Sequence, residues 1–213
     1  MFPLVINGQV VDGAELRGWP ISDLVAKSKM VDLPWGHGSL IYSTAVTGGE
    51  PAYKSRTVTL YVRERCADPE ARLGLRLAQW AGRVVTATLP GHENGYFRGE
   101  ATVALDGFDA NAVRYRIVMT VDPWYMDATD QVVTVTATSA GASFTLNPAL
   151  FTVAPLVSAT STVTITIGGR QWSVPAVTNR QIPNLIVSPG EPVTGTVKGS
   201  GTVTFKWRAG VLL

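Results

Sequence analysis

Between Gln131 and Gly169 the chain runs for 39 residues without one charged side chain. That is long enough to cross a bilayer, which needs about 20 predominantly apolar residues. Its content argues otherwise: Thr, Ser and Gly are scattered through it, and Pro148 and Pro155 interrupt it. No part of the sequence reaches ~18 consecutive apolar residues, so neither a membrane span nor stable membrane association is expected. The stretch alternates instead. Val132-Val133-Thr134-Val135-Thr136 and Thr162-Val163-Thr164-Ile165-Thr166-Ile167 repeat with period two and place β-branched residues on both faces, which is the pattern of strands. Gly168-Gly169, lying before Gln171-Trp172-Ser173-Val174, signals a hairpin. Pro189-Gly190 marks a turn before Val193–Val197, and Gly199-Ser200-Gly201 another before Thr202–Trp207. Short strands with turns every ~8–12 residues predict a sandwich or jelly roll. The Ala, Ser and Thr of residues 139–160 leave the strand register there open.

Charge marks a boundary before this region. Residues 1–130 hold 13 Lys and Arg and 15 Asp and Glu, whereas residues 131–213 hold five basic groups and one acid, Glu191. A length of 213 residues suits two domains of about 100 residues each, here 1–128 and 129–213. The first has strand patterns at Phe2–Ile6, Gln9–Val11, Arg56–Val62, Val84–Leu89 and Ala112–Val121, with Asn7-Gly8 as a hairpin dipeptide. One segment departs from them. Asp68 as N-cap and Pro69 at the first helical position open a helix predicted over about 69–82, with Leu73, Leu77 and Trp80 on its apolar face. The fold class expected is therefore mainly β: two β-sandwich domains, the first with a single packed helix.

Candidates for chemistry are few. A net charge of +2 shows no nucleic-acid footprint. Cys66 is the one cysteine, expected to be a buried thiol, and it excludes an intramolecular disulfide. His37 and His92 each sit in a glycine-flanked loop with no neighbouring His or Cys to complete a metal site. No Gly-x-Ser-x-Gly elbow or phosphate-cradling Gly-Lys-Ser/Thr loop is present. Glu93 with Glu100, and Asp106 with Asp109, are acid pairs of the kind glycoside hydrolysis uses. They read more simply as turn residues and cross-strand partners of Arg98, Arg114 and Arg116. No catalytic residue, metal or cofactor is expected. Trp124 and Tyr125 are the candidates for an interface anchor or a ligand-stacking platform, and equally for closing the first domain's core. Trp172 and Trp207 are expected in the core of the second. The N-terminal residues show no secretory signal pattern, so synthesis in a cytoplasm is expected.

The order of segments carries more than any single residue. Pro34-Trp35-Gly36-His37-Gly38 precedes Tyr42, and Tyr53-x-x-Arg56 leads into the strand Thr57–Val62. The helix follows, then Gly82-Arg83, Gly95-Tyr96-Phe97-Arg98-Gly99 and Asp122-Pro123-Trp124-Tyr125. Asn184-Leu185, Pro189-Gly190-Glu191, Gly199-Ser200-Gly201-Thr202-Val203 and Trp207-Arg208 close the set. In this order the chain resembles the distal tail proteins of long-tailed bacteriophages, in their short form without an inserted receptor-binding module. The resemblance implies a structural virion protein that is not an enzyme. It implies a first domain assembled with copies of itself into a hexameric ring around the tail channel, and an outward-projecting, galectin-like second domain. The partners it implies are the tail tube protein above the ring, the hub or tip protein below, and the tape-measure protein, with assembly in the host cytoplasm. Three alternatives remain: a carbohydrate-binding sandwich contacting host glycan, a glycoside hydrolase or esterase acting at a cell surface, and, related to the resemblance, another tail-tube or baseplate protein.

Overall fold

The computed structural model describes residues 2–27, 30–32, 39–41, 53–149, 151–211 and 213. The loop with Trp35 and His37, and Tyr42 after it, lie outside the described residues. The chain is mainly β, and α1 (Pro69–Trp80) is the one helix among the described residues. Two compact units divide it: Met1–Tyr125 with Leu212–Leu213, and Met126–Val211.

The first unit contains β1 (Phe2–Ile6), β2 (Gln9–Gly18), the short pair β3 (Met30–Asp32) and β4 (Ser39–Ile41), β5 (Arg56–Arg65), β6 (Arg83–Thr88), β7 (Gly95–Asp109) and β8 (Ala112–Val121), and the short β9 (Tyr125–Asp127) starts at its last residue. Six of these follow the order β7-β6-β1-β2-β5-β8, and β7 also pairs with β8. The sandwich therefore closes on itself. β7 makes closure possible by changing partner along its length: Arg83–Ala87 of β6 pair with Phe97–Ala101, while β8 pairs with Gly99–Asp109. Gly99 sits where both neighbours meet, and a Cβ there would lie 2.0 Å from Thr120 O. A closed sheet has no unpaired edge for another chain to extend.

Leu4, Ile6, Leu16, Val58, Leu60, Val62, Phe97, Ile117 and Met119 fill the interior. β5 shows why. Its odd-numbered side chains lie outward and its even ones, from Arg56 through Val58, Leu60 and Val62 to Glu64, are buried, as period two requires. At the start of that series the Arg56 guanidinium donates to the carbonyls of Ser22 (2.9 Å) and Leu213 (2.8 Å).

The second unit holds two four-stranded antiparallel sheets. One has the order β10 (Gln131–Thr136), β17 (Thr202–Trp207), β12 (Leu156–Ala159), β15 (Val177–Gln181); the other runs β11 (Ala142–Leu146), β16 (Val193–Gly199), β13 (Val163–Ile167), β14 (Arg170–Val174). Their inner faces meet in a core that includes Phe144 stacked on Phe205, with ring centroids 4.6 Å apart. Gly168 and Gly169, at φ 55° and 80°, make the turn of the β13–β14 hairpin in the left-handed region that a two-residue connection of this type demands. The segment left open by its composition divides into β11 and β12, which belong to different sheets.

Asp130 accepts a hydrogen bond from Arg208 Nε (2.7 Å) and pairs with Lys206 Nζ (2.8 Å). Those bonds, Arg208's first, hold its carboxyl below the ordinary value of 3.8. A lowered folded pKa contributes stability above the unfolded pKa, and that contribution is lost as pH falls through the lower folded value. The melting temperature of Asp130→Asn should lie slightly below that of the unaltered chain at neutral pH. The two should converge as acid titrates the carboxylate, which a calorimetric pH series will check.

Candidate assembly surface of the first unit

Helix α1 begins as its sequence dictates. Asp68 accepts from Ala71 N (3.0 Å), Pro69 takes the first turn, and Gly82 at φ 69° follows the end. Its rotation about its own axis differs from the expected one. Leu77, predicted on the core face, is 39% exposed and Leu75 is 44% exposed, whereas Arg76 is buried beside Trp80. Arg72 is also half-buried, so both arginines turn inward. Ala71, Gly74, Leu75, Leu77 and Ala78 are left on the outside. A surface helix ordinarily does the reverse.

Glu64 explains the rotation. It is fully buried near the end of β5. Arg76 donates to it from Nε (3.0 Å) and Nη2 (2.5 Å), the Tyr115 hydroxyl donates at 2.8 Å, and Arg72 Nη1 lies 3.3 Å away. Arg76 Nη1 donates to Gln79 Oε1 at 2.7 Å, and the guanidinium lies 5.0 Å from the Trp80 ring centroid. The hydrogen bond to Glu64 raises the pKa of Arg76 further. Burial first, then the Glu64 charge, push the Tyr115 phenol far above its usual range, so it stays a donor. Turning the helix to bury Leu77 would gain roughly 1.5–3 kcal/mol. It would also strand a buried carboxylate, at about 3–5 kcal/mol. The ion pair wins: Leu73 and Trp80 pack against the core as expected, while Leu75 and Leu77 are left outside.

The structure separates Trp124 from Tyr125. Trp124 is half-buried, edge-on to Tyr53 at 5.5 Å. Tyr125 is 2% exposed, so within this chain its ring offers no open face to a stacked ligand. It is a core residue with a latch function: its hydroxyl accepts from Leu89 N (3.0 Å) and reaches the carbonyls of His92 (2.7 Å) and Gly95 (2.8 Å). Burial, above all, raises its pKa. Tyr125→Phe keeps the ring but removes the partner of Leu89 N and the bond to Gly95 O, while His92 O retains Gly95 N. It should cost about 1–3 kcal/mol, read from urea unfolding.

The other candidates fall into ordinary places. His92 is an exposed turn residue whose ring packs on Tyr125 at 5.9 Å. Glu93 accepts from Gly91 N (2.9 Å), which lowers its carboxyl pKa, and Glu100 is exposed on β7. Asp109 pairs with Arg63 (3.2 Å) and Arg114 (3.5 Å), and Asp106 with Arg116 (3.8 Å). Cys66, expected to be buried, is half-buried with its thiol 3.7 Å from Glu64 O. Among the described residues no cluster of His, Cys, Asp or Glu could hold a metal ion, and no helix is long and apolar enough to cross a membrane.

Sequence reasoning missed Glu64 and Arg76. The signal was present, since the alternation of Val58, Leu60 and Val62 continues inward to Glu64.

No family model matches the chain, and no curated protein matches it. Among solved structures, that of the Dit protein (gp 19.1) of SPP1 is similar over 98% of this chain and 99% of that one, with a TM-score of 0.59 at 12% sequence identity. That protein is reported as a paradigm of the hub adsorption apparatus in phages infecting Gram-positive hosts. At such identity the likeness is one of fold, and the chain has the fold of a phage Dit protein.

Proposed function

We propose that the chain is a structural subunit of a phage tail, forming the distal tail ring between the tail tube and the tip or hub protein. The observation that carries this reading is a fold likeness spanning nearly the whole of both chains. Copies of the first unit assemble into a closed ring, most simply a hexamer, and the tape-measure protein passes toward its channel. Host glycan contact is left to the second unit. The work of the protein is surface complementarity rather than bond chemistry.

The outward apolar face of α1 supports the assembly reading and indicates how copies meet. The six strands that close on themselves offer no edge for strand addition, which favours a contact made by side chains. We assign the exposed surface of α1 to the contact with a neighbouring copy, with Leu75 and Leu77 on its two flanks and Ala71, Gly74 and Ala78 between them, and we assign Trp124 to a second point of contact. Leu75→Glu combined with Leu77→Glu should leave the unfolding midpoint of the isolated chain nearly unchanged, because both residues are exposed. The same variant should abolish rings seen by light scattering and negative-stain imaging, whether these form in solution or on purified tail components. Rings that form as readily as with the unaltered chain would refute the assignment.

A further inference from the structure

The outward face of the first unit carries a cleft of about 420 Å³, lined chiefly by Arg17, Tyr61, Arg63, Asp106, Asp109 and Arg114. Four neighbouring strands build it, in the order β2-β5-β8-β7. Register places the central side chains on one face. Arg63 of β5 stands directly opposite Arg114 of β8, and Tyr61 opposite Arg116. Directly paired residues share a face, and on β5 that face is the one turned away from the buried Val62 and Glu64. The strands on either side are each bulged at the cleft. Arg17 of β2 is left out of the ladder between Leu16 and Gly18, and Asp106 of β7 between Leu105 and Gly107. Such a bulge re-aims the side chain it leaves unpaired. Gly107, next to the second bulge, leaves room for the Arg114 guanidinium, since a Cβ there would lie 2.9 Å from Nη2.

Arg63 and Arg114 are an unfavourable pair by themselves, because like charges directly opposite destabilise a sheet. Asp109 sits between them. One of its oxygens accepts from Arg63 Nε (3.2 Å), and the other lies 3.5 Å from Arg114 Nε. Both guanidiniums are therefore held by their Nε edges. Among the described residues their Nη groups have no further partner. The same shortage runs across the face. Glu15 is shared by Arg17 (2.7 Å) and Arg65 (3.7 Å), and Asp106 lies 3.8 Å from Arg116. Five guanidiniums thus meet three carboxylates, which leaves the face positive. Solubility alone needs no such opposed pair. The open Nη ends suit planar carboxylates, which guanidinium binds bidentately. The acids set among the arginines favour separate carboxylates over a continuous polyanion, which they would repel. Tyr61, 40% exposed, adds a hydroxyl and apolar surface beside them.

We propose that this cleft docks an acidic segment of a partner protein, whose carboxylates take the Nη ends of Arg63 and Arg114, with Arg17 and Arg116 at the margins. The inference goes beyond the tail-ring reading and stands whether or not the chain forms rings. The test titrates the full chain calorimetrically with hexaglutamate at low ionic strength, where exposed charges are least screened. An oligothymidylate of equal charge represents the competing class of polyanion. Both titrations are repeated on Arg63→Gln, on Arg114→Gln and, as a control for net charge, on Arg180→Gln, an exposed position of the second unit. Near-ultraviolet circular dichroism verifies the fold of each variant. Hexaglutamate should bind saturably and more tightly than the oligothymidylate. Arg63→Gln and Arg114→Gln should each weaken its binding about tenfold, the loss of one charge-assisted contact, whereas Arg180→Gln should leave it nearly unchanged. The proposal is overturned if hexaglutamate does not bind saturably, if the oligothymidylate binds more tightly, or if the two cleft variants weaken binding no more than Arg180→Gln does.

Discussion

Glu64→Ala should lower the unfolding free energy of the first unit by about 3–5 kcal/mol. That is a large part of the roughly 5–15 kcal/mol that holds a typical domain together. The carboxylate accepts bonds from Arg76 and Tyr115 and faces Arg72. Its removal strands a buried guanidinium and a buried phenol together. The loss should appear in urea unfolding as a lowered midpoint with an unchanged slope. Replacing Glu64 and Arg76 together by leucine should restore most of the stability, because an apolar pair of similar volume often matches a buried ion pair. If Glu64→Ala unfolds at the same urea concentration as the unaltered chain, the ion pair does not set the rotation of α1. The exposure of Leu75 and Leu77 would then need another cause.

The second large effect concerns closure of the sheet. Gly99→Ala places a methyl group 2.0 Å from Thr120 O and 2.8 Å from a Val121 methyl. The oxygen belongs to a strand hydrogen-bonded on both sides, so it cannot yield as a flexible side chain would. The expected cost is about 3 kcal/mol or more. Gly74→Ala is the matched control: nothing lies within 4 Å of its Cβ position. In a helix interior it should stabilise the chain by about 0.5–1 kcal/mol. Equal melting temperatures for the two alanine variants would show that the change of partner at Gly99 is not tight.

Much of this architecture was readable from the residues, and what was not has identifiable physical causes. Strand positions in both units, the Gly168-Gly169 turn and the ends of α1 follow from period, turn chemistry and capping, which are local. Closure through β7 was not readable, since a strand's second partner is fixed by distant pairing and Gly99 signals only that something lies close. The rotation of α1 was misread because apolar spacing alone put Leu77 inward. The deciding partner of Arg76 is Glu64, on another element, and it could be found only by extending the β5 alternation. Residues 139–160 stayed undetermined because Ala, Ser and Thr suit either face of a sheet. Trp124 and Tyr125 were treated as one feature, although Trp124 lies in a bend and Tyr125 begins the next strand. One half of that pair is core and the other lies at the surface. Trp172 packs against the second core as expected but stays half-buried, because β14 is the edge strand of its sheet.

The central claim is that this chain is a structural part of a phage tail, placed where the tube meets the tip. Electron cryomicroscopy of purified particles, labelled with an antibody raised against the chain, tests it most directly. The account predicts label in a ring at the distal end of the tail tube, with density that accommodates several copies of the first unit. Particles whose tails lack the chain altogether, or carry it only along the tube, would contradict it.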